Sequence, residues 1–294
     1  MVKGIIVERA GQKITVFVEK EGKYYRGIPL GKVRKKDKVY AGDIVKGRVV
    51  DKETFAIEEI EERKNLLIRP PIANVDKVVI VSTIQNPPFQ NFLLDNLLVV
   101  YSHLGLETTI VFNKIDILDE EGKKELEKWF KIYTEAGYKV IKVSAETEEG
   151  LPQLKEDLKG KISIFAGPSG VGKSSIISKL TGRELKVGEV SKKTERGKHT
   201  TREVSLIPFD GGFIGDAPGF SRVDALNFME KEDVRLYFPE FLRYECKYSD
   251  CMHLNEDGCM VKEALRRGEI SCERYKSYLK MIKEFVKWLP EVCD

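Results

Sequence analysis

Gly167-Pro168-Ser169-Gly170-Val171-Gly172-Lys173-Ser174 has the spacing GxxxxGK[ST]. Glycines so placed let backbone N–H groups turn inward onto phosphates, and a helix starting here adds the positive end of its dipole. Lys173 would neutralise the β- and γ-phosphates, which also makes it a catalytic candidate. Ser174, followed by Ser175, would hold Mg²⁺. Lys161–Ala166 reads as the strand before this loop and Ser175–Leu180 as the helix after it. A phosphate loop does not choose a base, but Asn113-Lys114-Ile115-Asp116 does. It comes after the strand Thr108–Phe112, and ligands bind at the carboxyl ends of strands in open α/β sheets. An Asp116 carboxylate accepts from guanine N1–H and the 2-amino group. Adenine lacks that donor pair, so buried polar groups would be left unpaired. Asn113 would tie the loop together, and the stem of Lys114 would cover the base.

Ser144-Ala145 comes after the strand Lys139–Val143 and resembles the second guanine-contacting loop of GTPases. Asp216-Ala217-Pro218-Gly219 comes after the strand Gly212–Gly215, 43 residues beyond Lys173. Asp216 would reach Mg²⁺ through water, and Gly219 would donate its N–H to the γ-phosphate. Between these motifs stands Arg196-Gly197-Lys198-His199-Thr200-Thr201, where Thr200 or Thr201 would complete the Mg²⁺ shell. Such a segment orders with the γ-phosphate and loosens after hydrolysis. The order is unusual for a GTPase: NKID precedes the phosphate loop by 54 residues. The sheet must therefore be opened at a different loop, a circular permutation. Domain termini tend to lie close together at the surface, which makes this feasible. The segment after DAPG then ends the GTPase domain and leads directly into the C-terminal part of the chain.

That C-terminal part carries Cys246, Cys251, His253 and Cys259 within 14 residues. Three cysteines and one histidine make a closed four-ligand set that suits one structural Zn²⁺ and leaves no open position for catalysis. Cys272 and Cys293 fall outside it. The first reads as a helix residue and the second as a tail thiol, with Cys272 as an alternative ligand. A disulfide between them is not expected in a reducing compartment.

The elements that position these motifs are legible in the 294 residues. Hydrophobic residues at 41% build real cores and exclude disorder over most of the chain, despite 33% charged residues. No run of about 20 apolar residues exists, and no signal-peptide pattern opens the chain, so a cytoplasmic protein without a membrane partner is expected. Net charge is only +3, yet residues 1–52 hold 14 Lys/Arg against 6 Asp/Glu. This basic segment contains short alternating runs at Gly4–Val7, Lys13–Glu19, Lys23–Arg26, Ile44–Val50 and Thr54–Ile60, punctuated by glycines. Five such strands predict a small barrel of the OB type, which often binds oligonucleotides. Residues 66–74 read as a linker stopped by Pro70-Pro71. Beyond it, Val75–Ile84 has the apolar run of a buried parallel strand, Phe89–Leu104 reads as a helix, Asp119–Ala136 as an amphipathic helix and Leu151–Leu158 as a short one. Alternating strands and helices predict an α/β parallel sheet. From about Arg222 only helices are expected around the Cys/His stretch. The chain therefore divides into a barrel over 1–64, a circularly permuted P-loop GTPase domain over 65–222 and a helical zinc-binding domain over 223–294.

GPSGVGKS, NKID, SAET, GKHTT, DAPG and CxxxxCxHxxxxxC, in that arrangement between a barrel and a helical end, resemble the RsgA/YjeQ family of circularly permuted ribosome-biogenesis GTPases. The resemblance spans essentially the whole chain. It implies GTP and GDP as ligands, contact with the small ribosomal subunit and its rRNA late in maturation, subunit-stimulated hydrolysis, and a monomer. It also implies a catalytic role for His199. Where Ras-like enzymes carry a glutamine after DxxG, this chain has Phe220, whose ring cannot orient a water. An imidazole can do so near neutral pH. The expected outcome for His199→Ala is undiminished GTP affinity with loss of subunit-stimulated turnover, read by phosphate release beside a nucleotide titration.

Overall fold

The fold is known from a computed structural model, which describes residues 1–31, 33, 38–68, 71–183, 204–216, 225–284 and 289–293. The first five strands are Val2–Ala10 (β1), Lys13–Val18 (β2), Lys23–Pro29 (β3), Ile44–Val49 (β4) and Thr54–Ile60 (β5), and burial alternates with the pleat along β3 and β4. The five close into a barrel in the order β1-β2-β3-β5-β4, with β3 and β5 parallel and the other neighbours antiparallel. This is an OB-type barrel. Ile6, Val16, Val18, Val45, Phe55 and Ile57 fill it. The barrel turns its corner at Gly47, where the β4–β5 register shifts. A Cβ on Gly47 would lie 1.9 Å from the Ala56 carbonyl oxygen.

The stretch read as a linker is instead structured. Leu66–Ile68 (β6) and Pro71–Ala73 (β7) pair as a two-stranded antiparallel ribbon. Pro71 opens its strand, a position where a missing N–H is tolerated. Two asparagine side chains complete the ribbon's hydrogen bonding. Asn65 bonds both the N–H and the carbonyl of Val75 (2.9 and 2.7 Å), while Asn74 accepts from Lys64 N (2.8 Å) and donates to Gly42 O (2.9 Å).

Lys77–Ser82 (β8), Glu107–Phe112 (β9), Lys139–Lys142 (β10), Ile162–Ala166 (β11), Leu206–Phe209 (β12) and Gly212–Asp216 (β13) form a six-stranded sheet in the order β10-β9-β8-β11-β13-β12. β12, absent from the sequence expectation, is its antiparallel strand. The signal for it was present. Asp210-Gly211 sits between β12 and β13 with both residues at positive φ (43° and 75°), as a two-residue hairpin turn requires.

The chain clusters into two compact units. The first holds Met1–Val79, Leu151–Ala166 and Gly172–Gly219. In it β11 pairs in parallel with β13, and Phe17 of the barrel meets Phe213 edge-on at 6.0 Å. Leu151–Leu158 and Lys173–Thr181 are helices of this unit, and the side chain of Lys77 is buried against Asp157 at 2.6 Å. The second unit holds Ile80–Gly150, Gly167–Val171 and Phe220–Asp294. Its helices are Asn91–His103 (α1), Glu120–Ala136 (α2), Met260–Arg266 (α5), Cys272–Ile282 (α6) and Pro290–Cys293 (α7); Leu151–Leu158 and Lys173–Thr181 are α3 and α4 in chain order. Asp119 caps α2 by accepting from Gly122 N, and Gly137 ends it at φ 104°.

Residues 225–245, ahead of the Cys/His stretch, do not form the α-helix expected of them. They run through single 3₁₀ turns at Ala225–Asn227, Val234–Tyr237 and Phe241–Arg243, and Val99 and Val100 of α1 share one core with Phe238, Phe241, Tyr275 and Tyr278. Cys272 and Cys293 are joined as a disulfide, contrary to the reading of two free thiols. The bond also removes Cys272 as an alternative metal ligand, since a disulfide sulfur offers no thiolate. Gly47→Ala should cost about 1–3 kcal/mol through the clash at the barrel corner, read as a lowered thermal midpoint.

Candidate guanine-nucleotide and metal sites

The phosphate loop takes its shape from three glycines. Gly167, Gly170 and Gly172 have φ of 130°, 84° and 91°, a region that side-chain-bearing residues rarely adopt. At Gly167 a Cβ would stand 2.2 Å from the Val81 carbonyl oxygen. Gly172 caps α4, which therefore begins at Lys173 and includes Ser174 and Ser175 in its first turn. The sequence pattern places the helix start two residues later. The parallel register of β11 and β13 sets Asp216 beside Phe165, two residues before Gly167. Gly219, His199, Thr200 and Thr201 lie outside the described residues.

Asn113 stands at the end of β9 and is buried. Its Nδ2 donates to the carbonyl of Val171 in the phosphate loop (2.8 Å), and its Oδ1 accepts from Ala145 N (3.2 Å). Its backbone N–H donates to Ser82 O (2.8 Å) at the end of β8. One residue thus joins three loops. Lys114 adopts the left-handed region (φ 63°) and leads the 3₁₀ turn Ile115–Ile117 that carries Asp116. Buried Ser144 donates from Oγ to Asp116 Oδ1 (2.6 Å) and accepts from Thr147 N (3.0 Å). That hydroxyl fixes one carboxylate oxygen, while Asp116 itself stays exposed. The Lys114 ammonium donates to the Asn86 carbonyl (2.7 Å), a partner that no motif in the sequence announces.

The four residues of the Cys/His set come together. The ligand atoms of Cys246, Cys251, His253 and Cys259 all lie within 4.8 Å of one another. Nδ1 of His253 is 3.6 Å from both Cys246 Sγ and Cys259 Sγ. Tetrahedral zinc with bonds of about 2.3 Å to sulfur and about 2.0–2.1 Å to nitrogen sets sulfur and nitrogen about 3.5–3.6 Å apart, so the donors fit the ion. Backbone N–H groups already face the sulfurs: Met260 N to Cys246 (3.3 Å) and Lys262 N to Cys259 (3.4 Å). Burial pushes the Cys251 and Cys259 thiols up and holds the His253 imidazole down to about 4. A neutral imidazole is the form that ligates, and metal binding would release the thiol protons.

Sequence reasoning missed the contacts that shape this loop. Glu256 accepts from Met252 N and Leu254 N (both 2.7 Å), and the hydroxyls of Tyr275 and Tyr278 donate to the carbonyls of His253 and Met252. Only the second feature had a signal: two tyrosines on the buried stripe of α6 need partners for their hydroxyls.

Comparison with known proteins settles the family. The RsgA GTPase family model matches residues 60–226. The chain belongs to the RsgA GTPase family. It is 42% identical to the small ribosomal subunit biogenesis GTPase RsgA of Thermotoga petrophila, with 97% of each chain covered. It is 44% identical to the protein of that name from Carboxydothermus hydrogenoformans, covering 86% of this chain and 88% of the relative. The structure of YjeQ from Thermotoga maritima superposes with a TM-score of 0.81 at 36% identity, covering 96% of this chain and 97% of that one. That of YloQ, a circularly permuted GTPase, gives 0.79 at 30% identity, with 96% and 94% covered. As an RsgA-family protein the chain is a GTP hydrolase with its nucleotide motifs in permuted order. Asn113→Ala should weaken GDP binding roughly 10- to 100-fold, because it leaves the Val171 carbonyl and the Ala145 N–H without their partner. A fluorescent-nucleotide titration reads this directly.

Proposed function

We propose that this GTPase binds the small ribosomal subunit and its rRNA, acts in late maturation of that subunit, and hydrolyses GTP faster when bound to it. The observation that carries the reading is likeness over the full length. Relatives named for small-subunit biogenesis align over 97% of the chain, so the barrel and the Cys/His segment are matched along with the nucleotide motifs. The excess of lysine and arginine in residues 1–52 gives the barrel an RNA-directed charge.

In this reading Gly167 to Ser175 cradle the phosphates, with Lys173 on the β- and γ-phosphates. Asp116 reads guanine N1–H and the 2-amino group, and Asn113, Lys114, Ser144 and Ala145 hold the base site in shape. Ser174, Asp216 and Thr200 or Thr201 serve Mg²⁺, Gly219 meets the γ-phosphate, and His199 orients the attacking water. Cys246, Cys251, His253 and Cys259 hold one structural zinc. Nucleotide state moves the C-terminal domain over 223–294 that carries it. Among the described residues no helix is long and apolar enough to cross a membrane.

GTP hydrolysis by the purified protein, with and without small ribosomal subunits, tests the reading. Large subunits and ATP serve as controls. The expected result is GTP-specific stimulation by small subunits alone. Equal turnover in all arms would overturn the assignment of the partner.

A further inference from the structure

Arg274 lies on α6, at a position of the helix that otherwise carries Tyr278 and Met281, and it is 1% exposed. A buried guanidinium is tolerated only with paired charge and satisfied donors. Here its Nε and one terminal nitrogen grip Glu240 (2.7 and 3.2 Å), and the other terminal nitrogen donates to Asp95 of α1. Phe238, Tyr138 and Tyr133 present their rings to it at 4.5–5.5 Å. Two buried carboxylates share one cation, so the cluster depends on every remaining donor.

Tyr133 of α2 is the donor that links this cluster to the base-side loops. Its hydroxyl donates to Asp95 Oδ1 (2.9 Å). Its ring, fully buried, packs at 6.5 Å on Phe112, the last residue of β9 and the one before Asn113. Phe89 meets both rings, and the Phe112 carbonyl accepts from Val143 N (2.8 Å), one residue before Ser144. A side chain from the segment that carries the Cys/His cluster therefore meets, at Tyr133 and Asp95, the aromatic layer behind Asn113. That segment is held in turn by Tyr275, the residue after Arg274, through the His253 carbonyl.

We propose that Arg274 is a positioning residue for guanine recognition, through which the metal-bearing segment and the base-side loops form one cooperative unit. This rests on the assignment of the base site made above. Elements that open together are stabilised together by whatever binds either. Guanine nucleotide then tightens metal binding at the Cys/His cluster, seen as slower metal release, and loss of the metal weakens guanine nucleotide binding in turn.

The experiment uses the full-length, zinc-loaded protein. It measures affinity for a fluorescent GDP analogue and the rate of zinc transfer to a chromophoric chelator, with and without saturating GDP. In the natural protein GDP slows zinc transfer on the order of tenfold, and zinc removal weakens GDP binding. Tyr133→Phe keeps the ring and deletes only the hydroxyl. It retains one zinc per chain and loses most of the mutual effect. Arg274→Lys, which keeps charge without the fork, falls between. Zinc transfer indifferent to GDP, or full coupling in Tyr133→Phe and Arg274→Lys alike, overturns the proposal. If the natural protein binds GDP but shows no coupling, this inference falls alone; if it binds no GDP, the base-site assignment falls with it.

Discussion

The candidate nucleotide site depends on one residue. The Asn113 side chain reaches the loop 167–172 at Val171 and the loop after β10 at Ala145, and its backbone N–H reaches Ser82 at the end of β8. Each bond on its own contributes about 1 kcal/mol net. Their worth lies in sharing one rigid group, because loops that are otherwise independent must then move together. A phosphate cradle and a base reader that drift apart bind neither end of a nucleotide well, since preorganisation sets how much interaction energy survives as affinity. Asn113 therefore matters more for geometry than for stability.

Separation along the chain makes such a tie necessary. In this chain the base-reading motif comes before the phosphate loop, separated from it by α2, β10, α3 and β11. Contacts of that sequence separation are not guided by chain proximity. They must be specified by side chains that bridge loops, and Asn113 to Val171, Ser144 to Asp116 and Lys114 to Asn86 are bridges of that kind. The same logic operates in the second unit, where Asp95 and Arg274 lie 179 residues apart in the chain and meet in a buried ion pair.

Much of this was legible in the residues. The phosphate loop, NKID and the Cys/His set are patterns in which residue type and spacing are the chemistry, so reading them needed no fold. The barrel and the alternating strands and helices came from period-two and apolar runs. The features that escaped reading were tertiary. The ribbon of β6 and β7 begins its second strand on Pro71, and two asparagine side chains supply bonds that no propensity reports. β12 was missed despite its Asp-Gly turn, because a four-residue strand carries too little pattern to stand alone. Arg274 belongs to no motif, although its place among Tyr278 and Met281 marks it as an inward position. The pairing of Cys272 with Cys293 contradicted an argument from compartment, which concerns where disulfides persist and says nothing of which sulfurs can meet.

That disulfide sets two demands against each other within one hydrophobic core. Cys246, Cys251 and Cys259 can ligate a metal only as reduced thiolates, whereas Cys272 and Cys293 staple the last helix to α6 only as an oxidised pair. An oxidant strong enough to close the staple threatens three nearby thiols, and a reductant that protects those thiols opens it. A bound metal removes the conflict, because ligated sulfurs are shielded from exchange. A metal bound before oxidation would leave only Cys272 and Cys293 to pair, whereas oxidation of the metal-free chain would expose all five sulfurs to exchange.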